Sequence, residues 1–504
     1  MSLDLVLYQE YIQANLAGLK EIAKQTRGIL VIVGFIDQDL KKIGPDGTPY
    51  RYNSAALIYN GRLLGIVDKT LLPDYDIFFE NRYFQPARQR QVFDFKGVKI
   101  GVEICEDLWD ENYPVKVSDE LVVKGPQILI NVSASPFYAG KRLVRQKIIQ
   151  KVVGKNKVPF VYVNLVGGQD GFEGEVVFDG QSMVFDKSGN LVSLGKIFAE
   201  DLFFVDFKTC EKKGNENLKP QSNPTEELYN ALVFGIKEYC RRTGFEKAFI
   251  GLSGGIDSAV TAVLAVSALG AKNVTGISMP SRYSSQASKD DAVVLAKNLG
   301  IKFKTIPIKD AFTAFKNTLK GEFAGLPENT TEENIQARIR GILLMAHANK
   351  FGGLVINTGN KTETALGYTT LYGDMCGGLA AISDVSKLKI YKLARFINQG
   401  RDHNIIPENI IQKVPSAELK DNQTDEESLG ASYKIMSPLV DEIVEKAKTP
   451  KKLSKYPKNV VWKLFTLINK SEYKRRQAPP GIKVTPKSFG IGRRIPMNYS
   501  FWEK

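Results

Sequence analysis

From Thr225 onward the chain alternates strictly between apolar runs and helical periodicity. A helix is followed by the strand KAFIGLS, a helix from Ile256, the strand NVTGISM, the helix SQASKDDAVVLAKNLG, the strand KFKTIPI, a long helix and the strand GLVINTG. Strands separated by helices cannot close as hairpins. Each crossover returns the chain in the same direction, which predicts a doubly wound parallel sheet covered by helices on both faces. Ligands of such sheets sit at the carboxyl ends of the strands, so the turns after KAFIGLS and GLVIN are the places to look for chemistry.

The first 207 residues follow another pattern. Strand runs ILVIVGFI (29–36), SAALIYN (54–60), RLLGIVD (62–68), VKIGVEI (98–104), ILINVSA (128–134) and FVYVNLV (160–166) are punctuated by turn signals, with Asn60-Gly61 marking a hairpin. Helical periodicity is confined to 5–25 and 139–154, and a second hairpin is expected around Lys187-Ser188-Gly189 before a final strand DLFFVDF. Between them and the alternating part lies the polar, proline-containing stretch TCEKKGNENLKPQSNPTEE. A chain of 504 residues exceeds one ordinary core, so the expected organisation is a domain over 1–208, a linker over 209–225 and a second domain over 226–504.

Composition narrows the setting. The four cysteines, Cys105, Cys210, Cys240 and Cys376, are widely spaced and form no CxxC or Cys/His cluster, which argues against a zinc site or a disulfide framework. No apolar run reaches membrane-spanning length and no signal-peptide pattern opens the chain, so a cytoplasmic protein without a membrane partner is expected. The formal charge of +14 fits nucleic acid, a polyanionic small substrate or simply a lysine-rich surface. The densest basic stretch, KSEYKRRQAPPGIKVTPKSFGIGRR (470–494), is broken by Pro and Gly and reads as an ordered loop, so no nucleic-acid partner is expected.

The segment GLSGGIDSAV (251–260) closes a strand and opens a helix. Adjacent glycines let backbone N–H groups approach an anion, Ser253 and Ser258 add hydroxyls, and the helix N-terminus adds partial positive charge. Asp257 would repel phosphate unless a divalent cation stood between them, which makes it a magnesium ligand candidate. The loop has no lysine, unlike GxxxxGK[ST]. Thr358 follows GLVIN at the strand end and is a candidate ATP contact. Thr330 and Glu333 form an expected capping box, after which Ile335, Ile339, Leu343 and Ala346 should face the core while Asn334, Arg338 and Arg340 face elsewhere.

The SGGxDS loop in this context resembles that of the ATP pyrophosphatases (adenine nucleotide alpha hydrolase-like), which adenylylate a substrate and release pyrophosphate. ENIQARIRG (333–341), NTGNKTETALGYTTLYGDMCGG (357–378) and PSAELKDNQTDEESL (415–429) resemble the NAD synthetase family, and YKRRQAPPGIKVTPKSFGIGRR (473–494) resembles the end of its glutamine-dependent branch. The resemblance implies ATP contacts at Gly251, Leu252, Ser253, Gly254, Gly255, Ile256, Asp257, Ser258 and Thr358. It implies deamido-NAD contacts at Asn334, Glu363, Tyr368, Asp374 and Lys487, with Mg2+ on Asp257 and Glu363. The implied reaction joins deamido-NAD and ATP into NAD-adenylate, which ammonia converts to NAD and AMP.

In GVEICEDLW (101–109), Cys105 ends a buried strand, where a thiol is either structural or a nucleophile. Together with VDKTLLPDYDIFFENRYF (67–84), this motif resembles the nitrilase superfamily, implying an αββα sandwich that hydrolyses glutamine. On that resemblance Cys105 is the nucleophile, Lys69 holds the oxyanion, and Tyr75, Ser135 and Lys141 contact glutamine, while Glu80 matches a second acid that positions the site. The superfamily's base glutamate lies in a PELxLxGY segment, and no such pattern precedes Lys69; Glu10 and Glu21 fall on a predicted helix. The sandwich is therefore expected to be truncated at its start, by roughly 30 residues or more for one strand-helix-strand unit.

The function expected is thus glutamine-dependent amidation, with deamido-NAD, ATP and L-glutamine or ammonia as partners and a homo-oligomer as the family's habit. The alternatives are an ammonia-only synthetase with an inactive glutaminase part, or a tRNA-modifying ATP pyrophosphatase. The last would need an RNA-binding appendage or reactive cysteines, and Cys240 and Cys376 are not placed for that.

Overall fold

A computed structural model describes residues 3–172, 174–207, 223–400, 403–421, 423–490 and 492–497. The expected linker falls outside the described residues as far as 222, as does Cys210. Packing divides the chain into Met1–Gly167 with Phe178–Gln221, and Gly168–Val177 with Ser222–Lys504.

In the first unit, Leu30–Ile43, Pro49–Tyr59 and Arg62–Asp68 form an antiparallel sheet, with Asn60-Gly61 at φ 47° and 80° turning the hairpin between its last two strands as the sequence requires. A second sheet among the described residues runs in the order Leu191–Leu194, Met183–Phe185, Phe160–Asn164, Ile128–Ser133, Val98–Ile104, Val92–Phe95, with its three central strands parallel. Ala55, Leu57 and Val67 of one sheet meet Ile100, Val102 and Ile104 of the other. Leu16, Leu19 and Ala23 of the helix Gln9–Gln25 cover the outer face of the first sheet, and Ile149 and Val153 of Lys141–Asn156 cover the second. Two sheets face to face between helices make the αββα sandwich. Each fully buried Ile or Leu here contributes about 1.5–3 kcal/mol of burial free energy.

The expected strand DLFFVDF is absent: 201–206 carry no regular structure, and Leu202 and Phe204 are exposed. Its apolar alternation finds no partner strand, and propensity without pairing does not make a strand. The helix expected over 5–25 begins as a 3-10 turn, Leu3–Leu7, and becomes α-helical at Gln9.

In the second unit, Lys302–Thr305, Val274–Ser278, Ala248–Gly251, Leu354–Asn357, Leu379–Ala380, Gly481–Lys483 and Gly174–Asp179 lie side by side in that order, all parallel. The doubly wound core is as the alternation predicts. Its continuation is not. The basic stretch read as a loop contains the helix Glu472–Arg475 and the strand Gly481–Lys483, whose other neighbour comes from Gly168–Val177. The helix Thr330–Phe351 starts one residue earlier than its expected box: Asn329 accepts from Thr331 N at 2.8 Å and Glu332 closes the box on Asn329 N at 2.8 Å, Asn being the stronger cap. Of its expected core stripe, Ile339 is buried and Ile335 and Leu343 pack partly buried against the same cluster as Leu344 and Ala348, while Ala346 is exposed.

Candidate functional site

In the first unit the strand Val98–Ile104 ends at Cys105, whose φ of 47° lies in the left-handed region. That turn breaks the strand and starts the 3-10 helix Cys105–Leu108, so the thiol is presented at a bend instead of inside the sheet. Asp107, buried two residues on, holds the bend. Its Oδ2 accepts from Ile104 N at 3.0 Å, and its Oδ1 accepts from Thr70 N at 3.0 Å and Leu71 N at 2.8 Å. One carboxylate thereby ties the cysteine turn to the segment carrying Lys69.

Lys69, fully buried at the end of Arg62–Asp68, reaches Glu80 Oε1 at 2.6 Å; Asn53 Nδ2 donates to the other Glu80 oxygen at 3.2 Å. Burial opposes the ammonium, but Glu80 and Cys105 hold its pKa above the ordinary lysine value. Burial pushes the Cys105 thiol up while the Lys69 charge pulls it down. Tyr75 and Tyr113 donate to Glu106 Oε1 at 2.8 and 3.1 Å. Ser135 is buried, with its N–H on Asn164 Oδ1 at 3.0 Å and its carbonyl taking Arg145 Nη2 at 2.9 Å, while Arg145 pairs with Asp179 at 2.8 Å. Lys141 Nζ lies 5.3 Å from the ring centres of both Trp109 and Tyr138. Lys69, Glu80 and Cys105 thus form one electrostatic cluster.

Beneath the turn, Glu103 is fully buried and takes Ser118 Oγ at 2.8 Å and Asn131 Nδ2 at 3.0 Å. Nothing in the alternation GVEIC separates it from a core position. Burial pushes it up to about 8. A carboxyl raised in the folded state contributes stability that is complete below its ordinary pKa and lost as pH rises through about 8. The thermal midpoint is therefore expected to fall as pH rises from about 5 to about 8 and to level off above, and Glu103→Gln to flatten that slope; an unchanged slope in the variant would remove Glu103 as its cause.

In the second unit, Ala248–Gly251 feeds the loop 252–255 and the helix Ile256–Leu269. Gly254 has φ +78°, and a Cβ there would stand 2.2 Å from Ser288 O, so only glycine fits. Gly255 N donates to Ser253 Oγ at 3.2 Å, Ser258 Oγ donates to Gly255 O at 2.9 Å, and Lys413 Nζ reaches Gly254 O at 2.8 Å. The loop borders a cavity of about 720 Å³.

Gly251, Leu252, Ser253, Gly255, Ile256, Asp257, Ser258, Thr358, Glu363, Tyr368 and Asp374 all line this cavity. Gly254, Asn334 and Lys487 do not: Asn334 accepts from Thr370 Oγ1 at 2.8 Å, and Lys487 precedes the lining residues Ser488, Phe489 and Gly490. Asn360 Oδ1 caps Lys361–Leu366 by accepting from Thr362 N at 2.9 Å and Glu363 N at 3.1 Å, and its Nδ2 donates to Asp257 Oδ1 at 3.0 Å. Asp257 and Glu363 are thereby brought to one place.

Between them stands a residue that the sequence did not flag. Lys387, buried at the start of Lys387–Asn398, pairs with Asp257 Oδ2 and with Glu363 Oε1 at 3.1 Å. In SDVSKLKIYKL it is one of three lysines at ordinary helical spacing, and only the tertiary fold singles it out. Burial pushes Glu363 up to about 7 against the pull of Lys387, and pushes Asp374 up to about 6. Two carboxylates converging on one cation beside a glycine loop and helix N-terminus suit a polyphosphate held through cations.

The family model for NAD synthase matches residues 228–478, and that for carbon–nitrogen hydrolase matches 4–210. The glutamine-dependent NAD(+) synthetases of Thermotoga maritima and Synechocystis sp. are 41% and 42% identical, each over 99% of this chain and 90% of the relative. The structure of the Acinetobacter baumannii glutamine-dependent NAD+ synthetase is similar at a TM-score of 0.75 and 36% identity, over 98% of this chain and 89% of that one. With such identity along nearly its whole length, the chain belongs to the family of glutamine-dependent NAD(+) synthetases.

Proposed function

We propose that this chain amidates deamido-NAD to NAD at the expense of ATP, and that the cavity of the second unit is where it does so. The observation that carries the reading is the convergence of Asp257 and Glu363 on Lys387 beside the 252–258 loop. The loop N–H groups and the helix N-terminus bind the triphosphate, and Lys387 offsets its charge. The nicotinate carboxylate attacks the α-phosphorus and pyrophosphate leaves; ammonia then attacks the acyl-adenylate carbonyl and AMP leaves. In this unit no side chain forms a covalent bond.

Asp257 and Glu363 fit Mg2+, since both already face a single cation; the ion would supply charge neutralisation to the phosphates. Among the described residues no three His, Cys, Asp or Glu side chains meet to hold a metal, in keeping with an ion that takes its other ligands from phosphate and water.

In the first unit Cys105 is the nucleophile toward the glutamine amide, Lys69 stabilises the oxyanion, and Glu80 holds Lys69 in place. Tyr75, Ser135 and Lys141 form the glutamine contacts. A second reading, synthesis from free ammonia alone, is favoured by one observation. Glu80 is committed to Lys69 and Asn53, and Glu106 to Tyr75 and Tyr113, so the two carboxylates that act on the thiol already have partners.

NAD formation with ammonium or glutamine supplied in parallel tests both readings. Activity with both donors supports the first, activity with ammonium alone supports the second, and activity with neither refutes both. No helix among the described residues is long and apolar enough to cross a membrane. The expected working place is the cytoplasm.

A further inference from the structure

A buried charged cluster stands at the wall of the cavity: Asp384 lines it, while Lys361, Lys483, Glu445 and Thr485 lie outside the lining. Lys361 is completely buried, two residues before Glu363, and its ammonium reaches Glu445 at 2.8 Å, Asp384 at 3.1 Å and Thr485 Oγ1 at 3.1 Å. Asp384, three residues before Lys387, is buried as well. Its Oδ2 accepts from Val484 N at 2.9 Å and Thr485 N at 2.8 Å, and its Oδ1 takes the Thr485 hydroxyl at 2.7 Å. Lys483 closes the same turn from the other side, donating to the carbonyls of Thr485 and Pro486 at 2.7 and 2.9 Å.

These bonds use both Asp384 oxygens and leave the 484–487 turn little freedom. The turn leads directly into Lys487 and then into Ser488, Phe489 and Gly490, which line the cavity. The two elements that supply Glu363 and Lys387 and the chain segment that supplies the 487–490 edge are therefore fixed to one another through Lys361, Asp384 and Thr485. A buried, hydrogen-bonded ion pair stabilises little in net terms but is costly to leave half made, which suits it to fixing geometry.

We propose that Asp384 and Thr485 are positioning residues for the substrate: both Asp384 oxygens are taken by the 484–485 turn, and the pair sets where the 487–490 edge stands relative to Glu363 and Lys387. The inference rests on the reading above that Lys487 contacts deamido-NAD. Because an isosteric change at Thr485 removes one hydroxyl without disturbing the charges, it separates placement from catalysis.

The test is steady-state kinetics of ammonium-driven NAD formation by the full chain. Thr485→Val is expected to raise the KM for deamido-NAD about tenfold with kcat within about twofold, as for loss of one hydrogen bond to a charged group. Thr485→Ser should restore the value, and Asp384→Asn should shift KM in the same direction. Lys487→Ala is measured in parallel, together with the Thr485→Val/Lys487→Ala pair. A double variant no worse than Lys487→Ala alone supports the proposal. A normal KM in Thr485→Val while Lys487→Ala is impaired overturns it and leaves the Lys487 reading intact. A normal KM in Lys487→Ala removes the Lys487 reading itself. If Thr485→Val does not fold, Thr485→Ser and Asp384→Asn carry the test, and a fall in kcat without change in KM in Asp384→Asn overturns the proposal.

Discussion

Cys105→Ala is expected to abolish glutamine-driven NAD formation, by at least about 10³-fold, while ammonium-driven formation stays within about twofold of the parent. The change is clean in physical terms. Cysteine and alanine both carry a Cβ, so the strain at φ 47° is the same in either, and the lost sulfur leaves only a small gap in a partly buried turn. The Lys69–Glu80 pair does not depend on the thiol for its hydrogen bond. What disappears is the sulfur proposed to form the acyl intermediate. Equal loss with both donors would mean that Cys105 supports the fold or the synthetase reaction, and its role as a nucleophile would fall.

Asp257→Asn should lower activity by about 10³-fold with ammonium and glutamine alike. The amide can still accept from Asn360 Nδ2, so the local bond at 3.0 Å survives. The opposite edge suffers. An amide NH2 would face the Lys387 ammonium, setting donor against donor where the structure has an ion pair. A cation ligand is lost at the same stroke, and Glu363 is left alone with Lys387. Because the damage lies at the proposed triphosphate site, the nitrogen source should make no difference. A variant that still works with either donor would exclude Asp257 from the cation site.

The doubly wound core was legible because alternation and the GGIDS turn are local signals: strand, glycine and helix start all fall within ten residues. That Cys105 and Lys69 come together was expected only from the motifs they belong to, since burial alone makes a strand-end cysteine structural. Lys387, Asp107 and Asp384 were not legible. Each acts by bridging elements distant in sequence, Asp107 reaching back to Thr70 and Asp384 forward to Thr485, and no local pattern marks such a residue. The failed strand DLFFVDF shows the converse, a good local pattern to which the fold offers no neighbour.

The ten residues Gly168–Val177 pack with the second unit although they precede the 209–225 stretch and lie inside the carbon–nitrogen hydrolase match. Residues 174–176 pair with Gly481–Lys483, and Glu175, fully buried, is held by Arg242. A gene cut at 209–225 to free the synthetase would thus deliver it with a bare sheet edge and an arginine deprived of its counter-charge. The two catalytic units are not two modules in tandem. An engineer wanting the synthetase alone would have to graft a strand back beside Gly481.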